Sequence, residues 1–213
     1  MTSRLPTSRD IRARVGALGL SVCLAACTAR ADPGVREGDI VFQTSRSAQS
    51  SAIQKATHSP FSHMGLVLFR EGRPYVLEAI GPVKYTPLAE WVERGVGRKV
   101  VVKRLRDAPS VLTPKAVEKL RASGQSFLGK PYDLVFAWSD DRIYCSELVW
   151  KIYDRALGID IGRLQPLRTF DLSDPVVRAK MNERYGDELP LDEPVISPAA
   201  MFDASALVTV PGP

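Results

Sequence analysis

Cys145 is the best candidate for a nucleophile, because of both its residue type and its position in the chain. It opens the segment 145–157, in which apolar residues recur at helical spacing, so it lies in the first turn of a predicted helix. A thiol there meets unpaired backbone N–H groups and the positive end of the helix dipole, which favour the thiolate. The same N–H groups can stabilise an oxyanion on a substrate carbonyl. The alternative is a buried Cys that packs as a small hydrophobe.

A thiolate nucleophile also needs a group that takes and gives protons, and histidine suits that role near neutral pH. The chain contains two candidates, His58 and His63. His58 falls in the break before Ser59 and Pro60, whereas His63 opens a strand-like segment. Because side chains on regular elements are held more rigidly, we predict His63 as the base.

Glu78 is the candidate for the residue that orients the imidazole. If Glu71 and Gly72 form a two-residue hairpin turn, Gly65 faces Glu78, and Glu78 lies diagonal to His63 on the same face of the sheet. An acidic residue among apolar strand neighbours is itself an anomaly, because an unpaired buried charge is costly. The alternative is a strand position that faces solvent.

The elements that must position these residues alternate between strand and helix patterns, which predicts an α+β domain. No internal repeat is visible. The tail from residue 162 reads as irregular packing with a short helix at 174–185. The predicted strands cover 39–43, 64–70, 74–80 and 99–105, and the other predicted helices cover 47–57, 88–94, 113–124 and 145–157.

The N-terminus reads as a lipoprotein signal peptide. Four arginines precede the apolar run 15–26, which is shorter than the ~20 residues that a membrane-spanning helix needs. The run ends in Leu24-Ala25-Ala26-Cys27, which resembles a bacterial lipobox with Cys27 as the acylated residue. Thr28 follows Cys27 at a position where Asp would favour retention in the inner membrane. The sequence therefore favours a lipoprotein that is anchored in the outer membrane and faces the periplasm. The alternative is an ordinary signal peptide followed by an incidental Cys. We therefore predict a signal peptide at 1–26, a lipid-anchored tether at 27–37 and a catalytic domain at 38–213.

Charge and cysteine content narrow the class of protein. Of the net charge of +5 in 213 residues, removal of residues 1–26 leaves +2, so a nucleic-acid partner has little support. Cys23 is removed and Cys27 carries lipid, which leaves Cys145 without a disulfide partner. The two histidines and one thiol leave no separate ligand cluster, so we expect no metal and no other cofactor.

Five stretches of the chain together resemble one family, the YiiX/YaeF-like circularly permuted papain-like amidases, which are related to NlpC-type cysteine peptidases. The resemblance implies a permuted papain-like fold, with an antiparallel sheet packed against the nucleophile-bearing helix. It also implies Cys145 as nucleophile, His63 as base, Glu78 as the orienting residue and Tyr132 as a substrate-binding tyrosine, although Tyr132 could instead serve packing. The stretches are GDIVFQTS (38–45), SHMGLVL (62–68), YVLEAIGPV (75–83), GKPYD (129–133) and YCSELVWKIY (144–153).

The expected activity is hydrolysis of an amide through an acyl-thioester on Cys145. One alternative is acyl transfer, as in the lecithin:retinol acyltransferase-like enzymes, and another is a non-catalytic envelope lipoprotein that binds a ligand in the same cleft. The expected partners are a substrate that contains an amide (a peptide, a peptidoglycan stem or a lipid amide) and a membrane that the N-terminal lipid enters.

Overall fold

The structure, a computed structural model, describes residues 1–2, 34–47 and 49–213. Cys27 and most of the predicted signal peptide lie outside the described residues. In the described part the strands are β1 Ile40–Gln43, β2 His63–Arg70, β3 Arg73–Ala79, β4 Val83–Pro87, β5 Val101–Leu105, β6 Gln165–Pro166, β7 Pro194–Val195 and β8 Leu207–Val210. The helices are α1 Ser50–Thr57, α2 Leu88–Arg94, α3 Ala108–Val111, α4 Pro114–Gln125, α5 Cys145–Leu157, α6 Pro175–Tyr185 and α7 Pro198–Phe202.

Among the described residues, six strands form one sheet in the order β4-β3-β2-β1-β5-β8, and every neighbouring pair is antiparallel. Strands β6 and β7 pair separately. Helix α5 packs against β2, β3 and α4, and helix α2 packs against β3 and β4. This is the α+β arrangement that the sequence predicts, with an antiparallel sheet against the helix that carries Cys145.

The sheet is buried on both faces, with alternate residues of each strand pointing to opposite sides. Phe42, Leu66 and Leu77 belong to the larger core beneath α4 and α5, whereas Val67 and Trp91 belong to a smaller core beneath α2. His63 and Glu78 have the same alternation as Val67. Their side chains therefore lie on the α2 side of the sheet, at the end of β2 that is near Cys145.

The predicted hairpin register is confirmed. Arg70 pairs with Arg73 and Leu66 pairs with Leu77 across β2 and β3. Helix α5 begins at Cys145 as predicted, and it ends at Gly158 with φ of 66°, a left-handed conformation that suits glycine. Helix α1 begins later than predicted, at Ser50 rather than Ser47.

The tail after residue 162 is more ordered than the irregular packing that the sequence indicates. Its last strand, β8, pairs with β5 and forms an edge of the main sheet, with Val210 opposite Val102. Ser197 caps helix α7, where its side chain accepts a hydrogen bond from the Ala200 N–H at 3.0 Å. Helix α6, Pro175–Tyr185, agrees with the short helix predicted at 174–185. Strand β8 is shorter than the central strands, which explains why periodicity alone misses it.

Residues 34–37, which the sequence assigns to the tether, pack against the domain. Val35 is buried beside Val67 in the core beneath α2. The Glu37 carboxylate accepts a hydrogen bond from the Phe69 N–H at 2.9 Å. The packed domain therefore includes residues before 38, and the remaining tether residues, 27–33, lie outside the described part of the chain.

Candidate active site

Cys145 is buried at the first position of α5, and the surrounding hydrogen bonds fix the start of that helix. The Tyr144 N–H donates to the Glu147 carboxylate at 3.3 Å. The Ser146 hydroxyl donates to the Ile196 carbonyl at 2.8 Å, and the Ile196 N–H donates to the Tyr144 hydroxyl at 3.1 Å. The first N–H groups of a helix have no carbonyl one turn earlier, so this end of α5 offers donors for an oxyanion.

His63 and Glu78 are brought together by the β2–β3 register. The His63 Nε2 atom lies 2.6 Å from the Glu78 Oε2 atom, and both side chains are buried. Gly65 lets β2 pack closely against β3, because a Cβ atom there would lie 2.3 Å from the Val76 Cγ1 atom and 2.9 Å from the Leu77 carbonyl oxygen. Glycine is therefore required at this position by close packing rather than by a positive φ.

In the part of the chain that the structure describes, the Glu78 carboxylate accepts hydrogen bonds from four side chains. The Oε2 atom accepts from His63 Nε2 at 2.6 Å and from Trp91 Nε1 at 2.9 Å. The Oε1 atom accepts from Thr86 Oγ1 at 2.6 Å and from the Arg94 guanidinium. Burial alone would raise the pKa of Glu78, but the hydrogen bonds and charges of His63, Thr86 and Arg94 outweigh it and lower the pKa. Glu78 is therefore held as a carboxylate.

The imidazole of His63 lies between this carboxylate and Cys145. Burial lowers its pKa, but hydrogen bonding and charge interactions with Cys145 and Glu78 outweigh burial and raise the pKa to about 9. Because Nε2 is bound to Glu78, Nδ1 is the ring nitrogen left for Cys145. The arrangement favours an imidazolium next to the sulfur, which is the form that can give a proton to a leaving group.

Tyr132 lies beside Cys145, in the segment between α4 and α5. Its hydroxyl accepts a hydrogen bond from the Gln49 amide at 3.4 Å. Burial raises the pKa of Tyr132 well above its ordinary value, and the nearby charge of Cys145 raises it further. Tyr132 therefore remains a neutral hydroxyl that can donate a hydrogen bond near the sulfur. Its predicted role in substrate binding stays a prediction.

Two depressions meet at this centre. The first, which we call the apolar pocket, has an empty volume of about 610 Å³, and its lining includes Cys145, Phe170 and Met181. The second, the polar groove, has an empty volume of about 1500 Å³, and its lining includes His63 and Arg46. Among the described residues, those that line both depressions are Gln49, Ile53 and Tyr132. A substrate that crosses this boundary would have unlike chemical groups on its two sides.

The comparisons with known proteins concern the family and the fold. A family described as permuted papain-like amidase enzymes, YaeF/YiiX, C92 family, matches residues 34–211. The chain belongs to this family. An uncharacterized protein YiiX of Escherichia coli strain K12 is 54% identical over 173 residues, which cover 81% of this chain and 84% of that protein. A crystal structure of metalloprotein YiiX from Escherichia coli O157:H7 matches with a TM-score of 0.80 and 52% identity, over 84% of this chain and 98% of that chain.

The description of that crystal structure as a metalloprotein raises the question of a metal in this chain. Within residues 34–47 and 49–213, no group of three or more His, Cys, Asp or Glu side chains is arranged to hold a metal ion. Glu78 already accepts hydrogen bonds from four donors, one of them the Nε2 atom of His63. The described donor set does not fit a metal, and no catalytic step is assigned to one. The absence of a metal stays a prediction.

His58 and Cys27 are the other two residues singled out in the sequence. His58 is exposed and lies 3.4 Å from Asp171, on the surface rather than at the centre. Cys27 lies outside the described residues. In the part of the chain that the structure covers, no helix has the length and apolar character to cross a membrane.

Sequence reasoning missed three of the four donors to Glu78, namely Thr86, Trp91 and Arg94. Thr86 lies on β4, which the sequence does not predict because the strand is short and ends at Pro87. Trp91 and Arg94 lie on α2, whose bounds are predicted correctly. One signal was available in the sequence. A buried carboxylate needs hydrogen-bond donors, and Trp91 and Arg94 lie three residues apart on one face of the helix that follows β4.

Proposed function

We propose that this protein is a cysteine-dependent amide hydrolase in which Cys145 is the nucleophile, His63 the base and Glu78 the residue that orients His63. The sulfur attacks the substrate carbonyl carbon and forms a C–S bond. The C–N bond then breaks, and the amine leaves with a proton from His63. Water next attacks the thioester and gives a proton to His63, the C–S bond breaks, and the carboxylic acid product leaves.

The observation that carries this proposal is the arrangement around His63. Its ring is fixed on one side by a carboxylate with four donors, and it interacts on the other side with a cysteine at a helix N-terminus. A structural cysteine would not need an imidazole held in one orientation. The orienting carboxylate keeps the ring in place and stabilises its protonated form, as in other nucleophile–base–acid sets.

The apolar pocket beside Cys145 favours a substrate with an apolar acyl group. Of the amides expected from the sequence, a lipid amide fits such a lining better than a peptidoglycan stem, which is rich in charged and polar groups. The lining is mostly apolar, with Phe170, Leu172 and Met181 among its side chains, and it reaches Cys145. We therefore propose that the acyl part occupies the apolar pocket. The amine part would lie at the boundary of the pocket and the polar groove, beside Gln49 and Tyr132, and would leave through the polar groove.

The experiment exposes the purified protein to N-acyl amides of different chain length and detects the intermediate on Cys145 by mass spectrometry after acid quenching. The expected adduct has the mass of the acyl group, and Cys145→Ala should show neither adduct nor product. Addition of hydroxylamine or another amine separates the two chemistries. A hydrolase yields mainly free acid at low amine concentration, whereas an acyltransferase yields mainly the new amide. If neither adduct nor product forms with any amide, the catalytic proposal fails.

Location is a separate part of the proposal. We propose that the protein is anchored in the outer membrane through an acylated Cys27, facing the periplasm, which the sequence Leu24-Ala25-Ala26-Cys27 supports. Metabolic labelling with a radioactive fatty acid should label the parent protein, and Cys27→Ser should carry no label and leave the membrane fraction. Cys23→Ser is the matched control and should behave like the parent. Equal labelling of Cys27→Ser and parent would rule out the anchor.

A further inference from the structure

Arg184 is the one Lys, Arg, Asp or Glu residue among the described residues that line the apolar pocket. It lies in the last turn of α6 and is half-buried. Placing a guanidinium against an apolar pocket removes part of its hydration, which is unfavourable unless a partner compensates. The contacts that this guanidinium makes therefore show what it is available to bind.

Two contacts hold the Arg184 guanidinium in place. It donates a hydrogen bond to the Gln49 side-chain oxygen at 2.8 Å, and it lies over the Phe136 ring at 5.1 Å from the centroid. Gln49 in turn donates to the Tyr132 hydroxyl at 3.4 Å. A guanidinium has five N–H donors, so these contacts leave donors for another group.

Glu183 and Asp133 interact with Arg184 through charge but form no ion pair with it. In residues 34–47 and 49–213, no Asp or Glu forms an ion pair with Arg184. Glu183 is paired with Lys180. Asp133 interacts with Arg184 only through longer-range charge, and its Oδ1 atom accepts from the Val135 N–H at 2.8 Å. The positive charge next to the pocket is therefore not neutralised by a close carboxylate.

The position of Arg184 relative to the sulfur limits where a ligand anion would lie. Arg184 is linked to Tyr132, which lies beside Cys145, through the Gln49 side chain, which accepts from Arg184 and donates to the Tyr132 hydroxyl. Gln49, the hydrogen-bond partner of Arg184, lies on the boundary between the apolar pocket and the polar groove. A group bound by Arg184 would therefore lie close to the scissile amide, rather than at the far end of an acyl chain.

We propose that Arg184 binds a carboxylate on the amine part of the substrate, so that the preferred substrate is an N-acyl amino acid with an apolar acyl chain. This inference rests on the proposed amide hydrolase activity and names its substrate class. Arginine suits this role because its planar fork binds a carboxylate through two parallel hydrogen bonds. Gln49 positions the fork, and Phe136 supports its face.

The test compares N-dodecanoylglycine, which carries the carboxylate, with N-dodecanoylglycinamide, which is neutral and nearly the same size. The variants are Arg184→Gln and Arg184→Lys, and Arg178→Gln is the control on the exposed side of the same helix. Release of dodecanoic acid gives kcat and KM. The parent should have a KM about 10- to 100-fold lower for the anionic substrate, as expected for a charge-assisted pair. Arg184→Gln should remove that preference by raising KM for the anionic substrate alone.

A second measurement separates this inference from the proposed function. Binding of N-dodecanoylglycine to Cys145→Ala, measured by calorimetry, needs no catalysis, and Cys145→Ala with Arg184→Gln should bind about 10- to 100-fold more weakly. Arg184→Lys keeps the charge without the fork and should give an intermediate preference, which also covers the case in which Arg184→Gln does not fold. Equal KM values for the two substrates in the parent, or an unchanged preference in Arg184→Gln, would overturn the role of Arg184. Binding that depends on Arg184 without hydrolysis of either amide would count against the hydrolase proposal alone.

Discussion

The two sides of the candidate site are built in opposite ways. On one side, Glu78 and its four described donors form a polar cluster. Each of the two carboxylate oxygens accepts two hydrogen bonds. On the other side, the apolar pocket has few polar atoms, and Arg184 is the one Lys, Arg, Asp or Glu side chain in the described part of its lining. The polar cluster fixes the geometry of the imidazole, whereas the pocket leaves space for a ligand.

The two sides also differ in where their residues come from along the chain. The polar cluster uses β2, β3, β4 and α2, which are consecutive elements joined by short turns. The apolar pocket combines α1, the start of α5, α6 and the segment 195–198, which are far apart in sequence. Local elements therefore set the geometry of the imidazole, and long-range packing sets the shape that a substrate meets. A change in the polar cluster should affect both stability and catalysis, while a change in the pocket should mainly affect substrate preference.

Glu78→Gln, a change in the polar cluster, should have the largest effect on stability. The amide keeps one acceptor oxygen but turns an NH₂ group toward donors, so at least one buried donor loses its partner. We expect the free energy of unfolding to fall by about 3 kcal/mol, as for other buried pairs that lose one charge. Activity should fall roughly 10- to 100-fold, less than in His63→Ala, because the proton-transfer group remains. Denaturant unfolding and kcat/KM measure the two effects.

Glu90→Gln is the matched control for that prediction. Glu90 is exposed on α2, the helix that supplies Trp91 and Arg94 to the cluster. A substitution at such a surface position should change the free energy of unfolding by less than about 0.5 kcal/mol. If Glu78→Gln behaved like Glu90→Gln in both stability and activity, another residue would have to orient His63, and the contrast between the two sides would not hold.

The raised pKa of His63 makes the stability of the polar cluster depend on pH. The pKa is about 9 in the folded protein against 6.5 for the unperturbed side chain, so the folded state binds the proton more tightly. The resulting stabilisation is fully present below pH 6.5 and is lost as pH rises through about 9. Its full size is about 3 kcal/mol at most. Because Cys145 is one cause of the raised pKa, Cys145→Ala should lose less stability over the same range.

Urea unfolding between pH 7.5 and pH 9.5, in the parent and in Cys145→Ala, measures this difference. Burial also raises the pKa of Glu147, to about 7, so starting at pH 7.5 keeps most of its titration outside the range. His63→Gln should show the smallest dependence on pH of the three proteins. Parallel slopes for all three would mean that His63 does not hold an extra proton, and the imidazolium beside Cys145 would lose its support.

The sequence predicts the polar cluster in part and the pocket hardly at all, for reasons that differ. His63 and Glu78 could be paired because a two-residue turn at Glu71-Gly72 fixes the register of a hairpin, and strand alternation then fixes the face. Cys145 could be placed because a helix pattern begins at that residue. These are local rules, and they hold here because β2, β3 and α5 are long and regular.

The pocket could not be predicted in this way, because its walls meet only in the tertiary structure. Arg184 lies more than a hundred residues from its partner Gln49, and nothing in the local sequence of either residue indicates the other. Ile196 holds the start of α5 from within a segment that has no strong periodicity. A single sequence carries the pattern of each element but not the contacts between distant ones, so substrate preference is the property it predicts least.

The smallest effect is expected for Ile53→Ala, a change on the pocket side. Ile53 is half-buried on α1 and lines both the apolar pocket and the polar groove. Its truncation removes apolar surface that would contact an acyl chain next to the sulfur, which should lower kcat/KM for a long-chain amide by roughly 10-fold. A short-chain amide that does not reach Ile53 should be affected less. Thermal unfolding should change little, in contrast to Glu78→Gln.

Ile80→Ala is the matched control for this truncation, since Ile80 is exposed and lines the polar groove but not the described lining of the apolar pocket. The dependence of kcat/KM on acyl chain length should be preserved in Ile80→Ala and flattened in Ile53→Ala, because only the latter removes contacts to the chain. If both variants flattened it equally, the acyl chain would lie in the polar groove. If neither did, the chain would not pass Ile53. In both cases the division into a polar catalytic side and an apolar binding side would have to be redrawn, while the arrangement of Cys145, His63 and Glu78 would stand.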